Sequence, residues 1–106
     1  MTDQSDKALE AINIAKTTGK IRKGVNEVTK ALEKGTAKLV VYAKDVSPAE
    51  IIMHIPVLAK EKQIKCIEVA SKEELGNAAG LGVGTAAVAI IKEGEAVSIL
   101  KDLLKE

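Results

Sequence analysis

The run Ala37-Lys38-Leu39-Val40-Val41-Tyr42-Ala43 constrains this chain more than any other segment, because it is apolar and β-branched with almost no polar alternation. A strand of that kind needs cover on both faces, which places it centrally in a sheet with helices above and below. The flanking segments can supply those helices. Ala8, Leu9, Ile12 and Ala15 recur at helical spacing up to Gly19, a suitable C-terminal cap, so a first helix is predicted over 5–18. A short strand at 21–24 follows, then a second helix that Gly35 would end. Ser47-Pro48-Ala49-Glu50 combines a serine cap, proline at the first helical position and glutamate three residues after the cap, and Pro56 would bend or restart that helix. A strand at 65–69 precedes a second capping box, Ser71-Lys72-Glu73-Glu74, whose helix would run to about residue 79. Thr85 to Ile91 reads as another buried strand, and Val97, Leu100, Leu103 and Leu104 would line the core face of a last helix. The alternation predicts an α/β fold: a three-layer α/β/α sandwich around a mixed sheet of roughly four strands.

The chain's 106 residues suffice for one compact domain, expected to span 1–106. Apolar residues make up 46% and charged residues 29%, a globular composition. No apolar run approaches the roughly 20 residues of a membrane-spanning helix, and no signal-peptide core follows Met1, so a soluble, cytoplasmic protein is expected. The single cysteine, Cys66, has no intrachain partner and reads as a strand-interior core residue.

The formal charge of +1 conceals a dipole along the sequence: residues 16–44 hold eight basic and two acidic side chains, and the remainder carries a balance of −5. Within the basic stretch lies Lys23-Gly24-Val25-Asn26-Glu27-Val28-Thr29-Lys30, at the start of the predicted second helix. Residues 26 and 30, and 27 and 30, are helical neighbours, so Asn26, Glu27 and Lys30 can share one outward surface within a turn. Val28, Ala31 and Leu32 would face the core. Lys20, Arg22 and Lys34 flank the trio. Basic groups of this kind position a nucleic acid through its phosphates, while the amide, carboxylate and amine can read base edges.

Other chemistry is scarce. The loop Gly76-Asn77-Ala78-Ala79-Gly80-Leu81-Gly82-Val83-Gly84-Thr85 lacks the Gly-Lys-Ser/Thr ending of a phosphate loop and follows a helix rather than a strand. It is expected to expose Leu81 and Val83. His54, the only histidine, has no cysteine or carboxylate at metal-ligand spacing and is expected to be structural. Cys66 has no identifiable base, so no catalytic residue, metal site or cofactor is expected. One tyrosine, Tyr42, with no Phe or Trp, leaves no stacking platform for single strands; an RNA partner would be read by helix and loop.

Over nearly its whole length the chain resembles the archaeal ribosomal L-seven-Ae family of kink-turn RNA-binding proteins. The resemblance is carried by Thr17-Thr18-Gly19-Lys20-Ile21-Arg22-Lys23-Gly24, by Asn26-Glu27-Val28-Thr29-Lys30, by Pro48-Ala49-Glu50-Ile51 with His54-Ile55-Pro56, and by Leu75-Gly76 with Ala78-Ala79-Gly80. Their order and separation make the combination specific. The resemblance implies a three-layer α/β/α fold and binding to RNA internal loops bent sharply beside tandem sheared G·A pairs. By similarity Asn26 and Lys30 would donate to guanine acceptors exposed by those pairs, and Glu27 would accept from base N–H groups. Gly24 would let the backbone approach closely, and the amides opening the helix would favour a phosphate. Lys20, Arg22 and Lys23 would add backbone contacts, with Lys34 contributing salt-sensitive affinity. Leu81, Val83 and Ala86, with Ile51, would hold a bulged nucleotide flipped out of the stack.

The sequence departs from the family's common pattern at Val25, where threonine or alanine is frequent, and at Ser47, where an acidic residue often stands. Val83 replaces a basic residue of the eukaryotic relatives, and Gly82 and Gly84 loosen the loop. Neither change at 25 or 47 removes a donor or acceptor of the trio. By resemblance the protein would be a non-enzymatic scaffold for kink-turns in ribosomal RNA and in box C/D and box H/ACA guide ribonucleoproteins, in some cases also ribonuclease P, an enzyme of tRNA processing. Other ribonucleoprotein proteins would be partners, and the free protein is expected to be monomeric. Two alternatives remain: a same-fold ribosomal protein of the L-thirty-e type with a single rRNA site, and a small ligand-binding protein using the glycine-rich loop.

Overall fold

The computed structural model describes residues 4–44, 53–69, 71–92 and 94–105. Apolar residues at helical spacing build α1 (Gln4–Thr18), which turns through Gly19 into β1 (Lys20–Lys23). A single residue, Gly24, joins β1 to α2 (Val25–Lys34), and β2 (Leu39–Ala43) follows. Then come α3 (His54–Glu61), β3 (Lys65–Val69), α4 (Lys72–Ala78), β4 (Ala87–Lys92), a short 3-10 turn (Gly94–Ala96) and α5 (Val97–Lys105). The strands form one sheet in the order β1-β4-β2-β3. β2 pairs in parallel with β3, the connection between them passing through α3, while β4 is antiparallel to both β2 and β1. The sheet is therefore mixed, as expected.

Burial of β2 on both faces separates two cores. Leu39, Val41 and Ala43 pack with Val88 and Ile90 against Ala8, Ile12 and Ala15 of α1, Leu75 of α4 and Leu100 of α5. Val40, Ala87 and Ala89 pack on the other face against Val28, Ala31 and Leu32 of α2 and Ile55 and Ala59 of α3. Helices thus cover both faces, giving the three-layer sandwich. The β2 run is shorter than its apolar stretch because the ladder to β3 begins at Leu39. Ala37 is buried all the same, and the Lys38 amide donates to the Ile90 carbonyl at 2.6 Å.

Several local expectations shift. β4 starts at Ala87 rather than Thr85, whose buried hydroxyl donates to the Ala87 carbonyl at 3.3 Å. Val97 is exposed, whereas Leu100 is buried as expected, and Ala96, the last residue of the 3-10 turn, is buried just before α5. The expectation for the Ser47-Pro48-Ala49-Glu50 box lies outside the described residues, as do the side chains of Leu103 and Leu104, whose backbone belongs to α5. Pro56 sits in the first turn of α3, where its missing N–H removes no intrahelical bond. Ser71 caps α4, its hydroxyl accepting from the amides of Glu73 at 3.2 Å and Glu74 at 3.4 Å.

Cys66 corrects a further expectation. β3 is an edge strand, so the thiol is half-buried rather than enclosed. Burial first, and then the charge of Glu68, push it up from an ordinary value of 9.0 to about 12. At neutral pH it therefore holds only about a thousandth of the thiolate of an ordinary thiol. Alkylation by iodoacetamide should accordingly be slow at pH 8 in the native protein and recover to the rate of a free thiol in denaturant. Equal rates in both states would show an unperturbed thiol. Tyr42, paired in register with Glu68 across β2 and β3, is likewise raised, by burial and then by the neighbouring Glu68.

Candidate nucleic-acid interface

The passage from β1 to α2 is where sequence and geometry meet. Ile21 packs toward the α1 side of the sheet, so strand alternation turns Arg22 toward α2. Gly24 adopts φ 95° and ψ 152°, a conformation essentially reserved for glycine, while its amide donates to the Ala87 carbonyl at 2.9 Å. A Cβ at this position would meet nothing within 4 Å, so the glycine serves conformation rather than packing, and open space lies beside the backbone. Among the described residues, no side chain caps the first turn of α2. Its first amides thus have no side-chain acceptor at the N-cap, at the end of the helix that favours an anion.

Val28, Ala31 and Leu32 are buried, which fixes the rotation of α2 and leaves Asn26, Glu27, Lys30 and Lys34 exposed. The trio does not form one flat patch. Lys30 stands on a ridge between two depressions. On one side a groove of about 200 Å³ is bordered by Arg22, Glu27, Lys30, Lys34, Thr36 and Ile91. On the other, Asn26 shares a shallower depression with Thr29, Glu33 and His54. Glu27 thus lies among three cations, while Asn26 looks toward α3. Lys20 and Lys23 are exposed on β1.

Sequence reasoning did not place Thr29 and His54 beside Asn26. Thr29 Oγ1 donates to the Val25 carbonyl at 2.7 Å and lies 2.8 Å from His54 Nε2. A hydroxyl has one proton; with it committed to Val25, His54 must donate from Nε2 to the Thr29 oxygen. This bond ties the start of α3 to α2 and supports the structural role expected for His54. No short-range signal could have found it, since the partners are 25 residues apart.

The glycine-rich loop divides the other expected contacts. Val83 is exposed at 72%, as expected. Leu81 is not: it is half-buried against the core on the α1 side, whereas Ala86 packs against the core on the α2 side. The three apolar residues therefore do not present one surface. Ile51 lies outside the described residues. The loop is held on α4 at Gly76, whose carbonyl accepts from the Leu81 amide at 2.8 Å. A Cβ on Gly76 would overlap the Val83 carbonyl oxygen, backbone that has no flexible end to move away. Gly76→Ala should destabilise the protein by about 1–3 kcal/mol and displace the loop, read by urea denaturation and by amide exchange at residues 81–84. Unchanged stability would show that the loop backbone yields freely.

Among the described residues, no helix is long and apolar enough to cross a membrane.

Comparison with known proteins bears on the family and the fold. Residues 6–100 match the model of the Ribosomal protein L7Ae/L30e/S12e/Gadd45 family. The chain is 55% identical over 101 residues to the large ribosomal subunit protein eL8 of Haloquadratum walsbyi, covering 95% of this chain and 84% of that protein. Its fold is similar to that of the Giardia lamblia 15.5kD RNA binding protein, with a TM-score of 0.90, 25% identity, and coverage of 99% of this chain and 88% of the other. With the helices, the mixed sheet and the family match in agreement, the chain belongs to the Ribosomal protein L7Ae/L30e/S12e/Gadd45 family.

Proposed function

We propose that this protein is a structure-specific RNA-binding scaffold that recognises kink-turns and holds them in the bent form. The observation that carries this reading is Glu27: an exposed carboxylate at the start of α2, in a groove with Arg22, Lys30 and Lys34. Phosphates alone would favour an uninterrupted basic surface there. A carboxylate among cations suits a site in which phosphates are held around a base edge, with Glu27 accepting from base N–H groups. Asn26, from its depression beside α3, and Lys30, from the ridge, donate to guanine acceptors. Lys20, Arg22, Lys23 and Lys34 neutralise phosphates, and the open backbone at Gly24 admits one against the first amides of α2. Val83, the exposed apolar residue of the loop, contacts the flipped nucleotide together with Ile51, while Leu81 and Ala86, each turned to a different core, anchor the backbone that carries it.

The scaffold works by population shift. Binding the bent RNA in preference to the extended one by about 5.5 kcal/mol converts a 1:99 mixture to 99:1. No chemistry on the RNA is needed. The large-subunit name of the haloarchaeal relative supports ribosomal RNA as one target. Guide RNAs of box C/D and box H/ACA particles, and ribonuclease P RNA, belong to the same proposal, with other ribonucleoprotein proteins docking on the bent RNA in the cytoplasm. The reading is tested by titrating the protein, at fixed salt, with a kink-turn RNA and with the same RNA after its G·A pairs are converted to Watson–Crick pairs. A strong preference for the intact motif is expected; equal binding would reduce α2 to a nonspecific basic surface.

A further inference from the structure

The groove bordered by Glu27 does not stop at the end of α2. Thr36 and Ile91 also border a second, larger groove of about 750 Å³, which continues past Gly35 to Lys38, Lys92 and the backbone of Gly19. Both lysines are exposed, and among the described residues no carboxylate borders this second groove. Lys92 is moreover the register partner of Lys20 across the β1–β4 pair, so two exposed cations face one another at this end of the sheet. Like charges opposed across a ladder are destabilising unless an anion lies between or beside them. The C-terminal end of α2 would itself repel an anion, but two of its last four carbonyls are engaged. Leu32 accepts from the Gly35 amide at 3.1 Å, and Ala31 accepts from the Thr36 amide at 3.0 Å.

We propose that this second groove carries phosphates of the helical arm of RNA leading away from the kinked motif, with Lys38 and Lys92 as its cations. The inference rests on the RNA-binding reading above and extends the site beyond α2. From Asn26 to Lys34 the helix advances about 12 Å at about 1.5 Å per residue, enough for the motif itself. Lys38 and Lys92 border the groove that continues past Gly35, the end of α2 away from Asn26, where an RNA that continues would pass. The occupant is a phosphate backbone rather than bases, because the described residues of the groove offer two amines, two threonine hydroxyls, glycine backbone and one isoleucine, and include no aromatic ring.

The test compares two kink-turn RNAs, one with a short arm and one with that arm lengthened by several base pairs, and titrates each across a salt series. The long-arm RNA should bind the unaltered protein on the order of tenfold more tightly at low salt. The double variant Lys38→Ala/Lys92→Ala should lose that increment while keeping its affinity for the short-arm RNA, and its salt slope on the long arm should fall by about 2. Lys101→Ala, on α5 across the sheet, should keep the increment. Thermal melts of each variant check folding, which these exposed positions should leave intact. No gain with arm length, or equal losses on both RNAs, would overturn the second groove while leaving kink-turn recognition standing. Absence of preference for the short-arm kink-turn over its G·A-repaired form would instead overturn the reading on which the groove depends.

Discussion

Glu27→Gln should lower the preference for an intact kink-turn over its G·A-repaired form by about fivefold to more than a hundredfold. That is the range of about 1–3 kcal/mol associated with one specific base-edge contact. Nonspecific affinity should move the other way. Removing a negative charge from a groove shared with Arg22, Lys30 and Lys34 strengthens attraction to any phosphate backbone, most at low salt. The opposed directions make the result diagnostic. A variant that binds both RNAs more tightly, with their ratio unchanged, would show that the carboxylate reads no base. Lys34→Ala supplies the contrast: it should weaken both RNAs about equally and reduce the salt slope by about 1.

Leu32→Ala should cause the largest loss of stability, about 3 kcal/mol within the usual range of about 2–5 for a buried leucine. The side chain is fully buried and packs in the cluster formed by Val28, Ala31, Ile55 and Val40. Its removal leaves a cavity between α2 and the sheet that rigid strand backbone cannot fill. Against a total of about 5–15 kcal/mol for a domain, this is a substantial fraction, and the melting temperature should fall by on the order of 15 °C. Urea denaturation should show a lower midpoint with an unchanged slope. Below the transition, RNA discrimination should persist, because Asn26, Glu27 and Lys30 lie on the opposite side of the helix. Loss of discrimination in the folded variant would show instead that the cavity lets α2 rotate.

The contrast between Leu32 and Glu27 marks how far the sequence can be read. Helical spacing of Val28, Ala31 and Leu32 specifies which side of α2 is buried, and so by exclusion which side carries Asn26, Glu27 and Lys30. Periodicity is a local property and survives folding when one core lies on one side. The Ser71 cap and the left-handed Gly35 at the end of α2 are legible for the same reason, since each is satisfied within its own turn. The exposure expected of Leu81 fails because its burial depends on α1, which no nearby residue announces. The enclosure expected of Cys66 fails because strand order, not strand composition, makes β3 an edge.

The sequence by itself thus determined the element types, the two-sided burial of β2 and the outward set on α2, all consequences of hydrophobic period and capping within a few residues. Only the tertiary structure decided that Lys30 divides the trio between two depressions. It also bound His54 to Thr29 and joined Thr36 and Ile91 to Lys38 and Lys92 in one continued groove. Those relations arise where separate elements approach through the shared sheet. Their geometry is set by strand order and helix packing, which no single segment encodes.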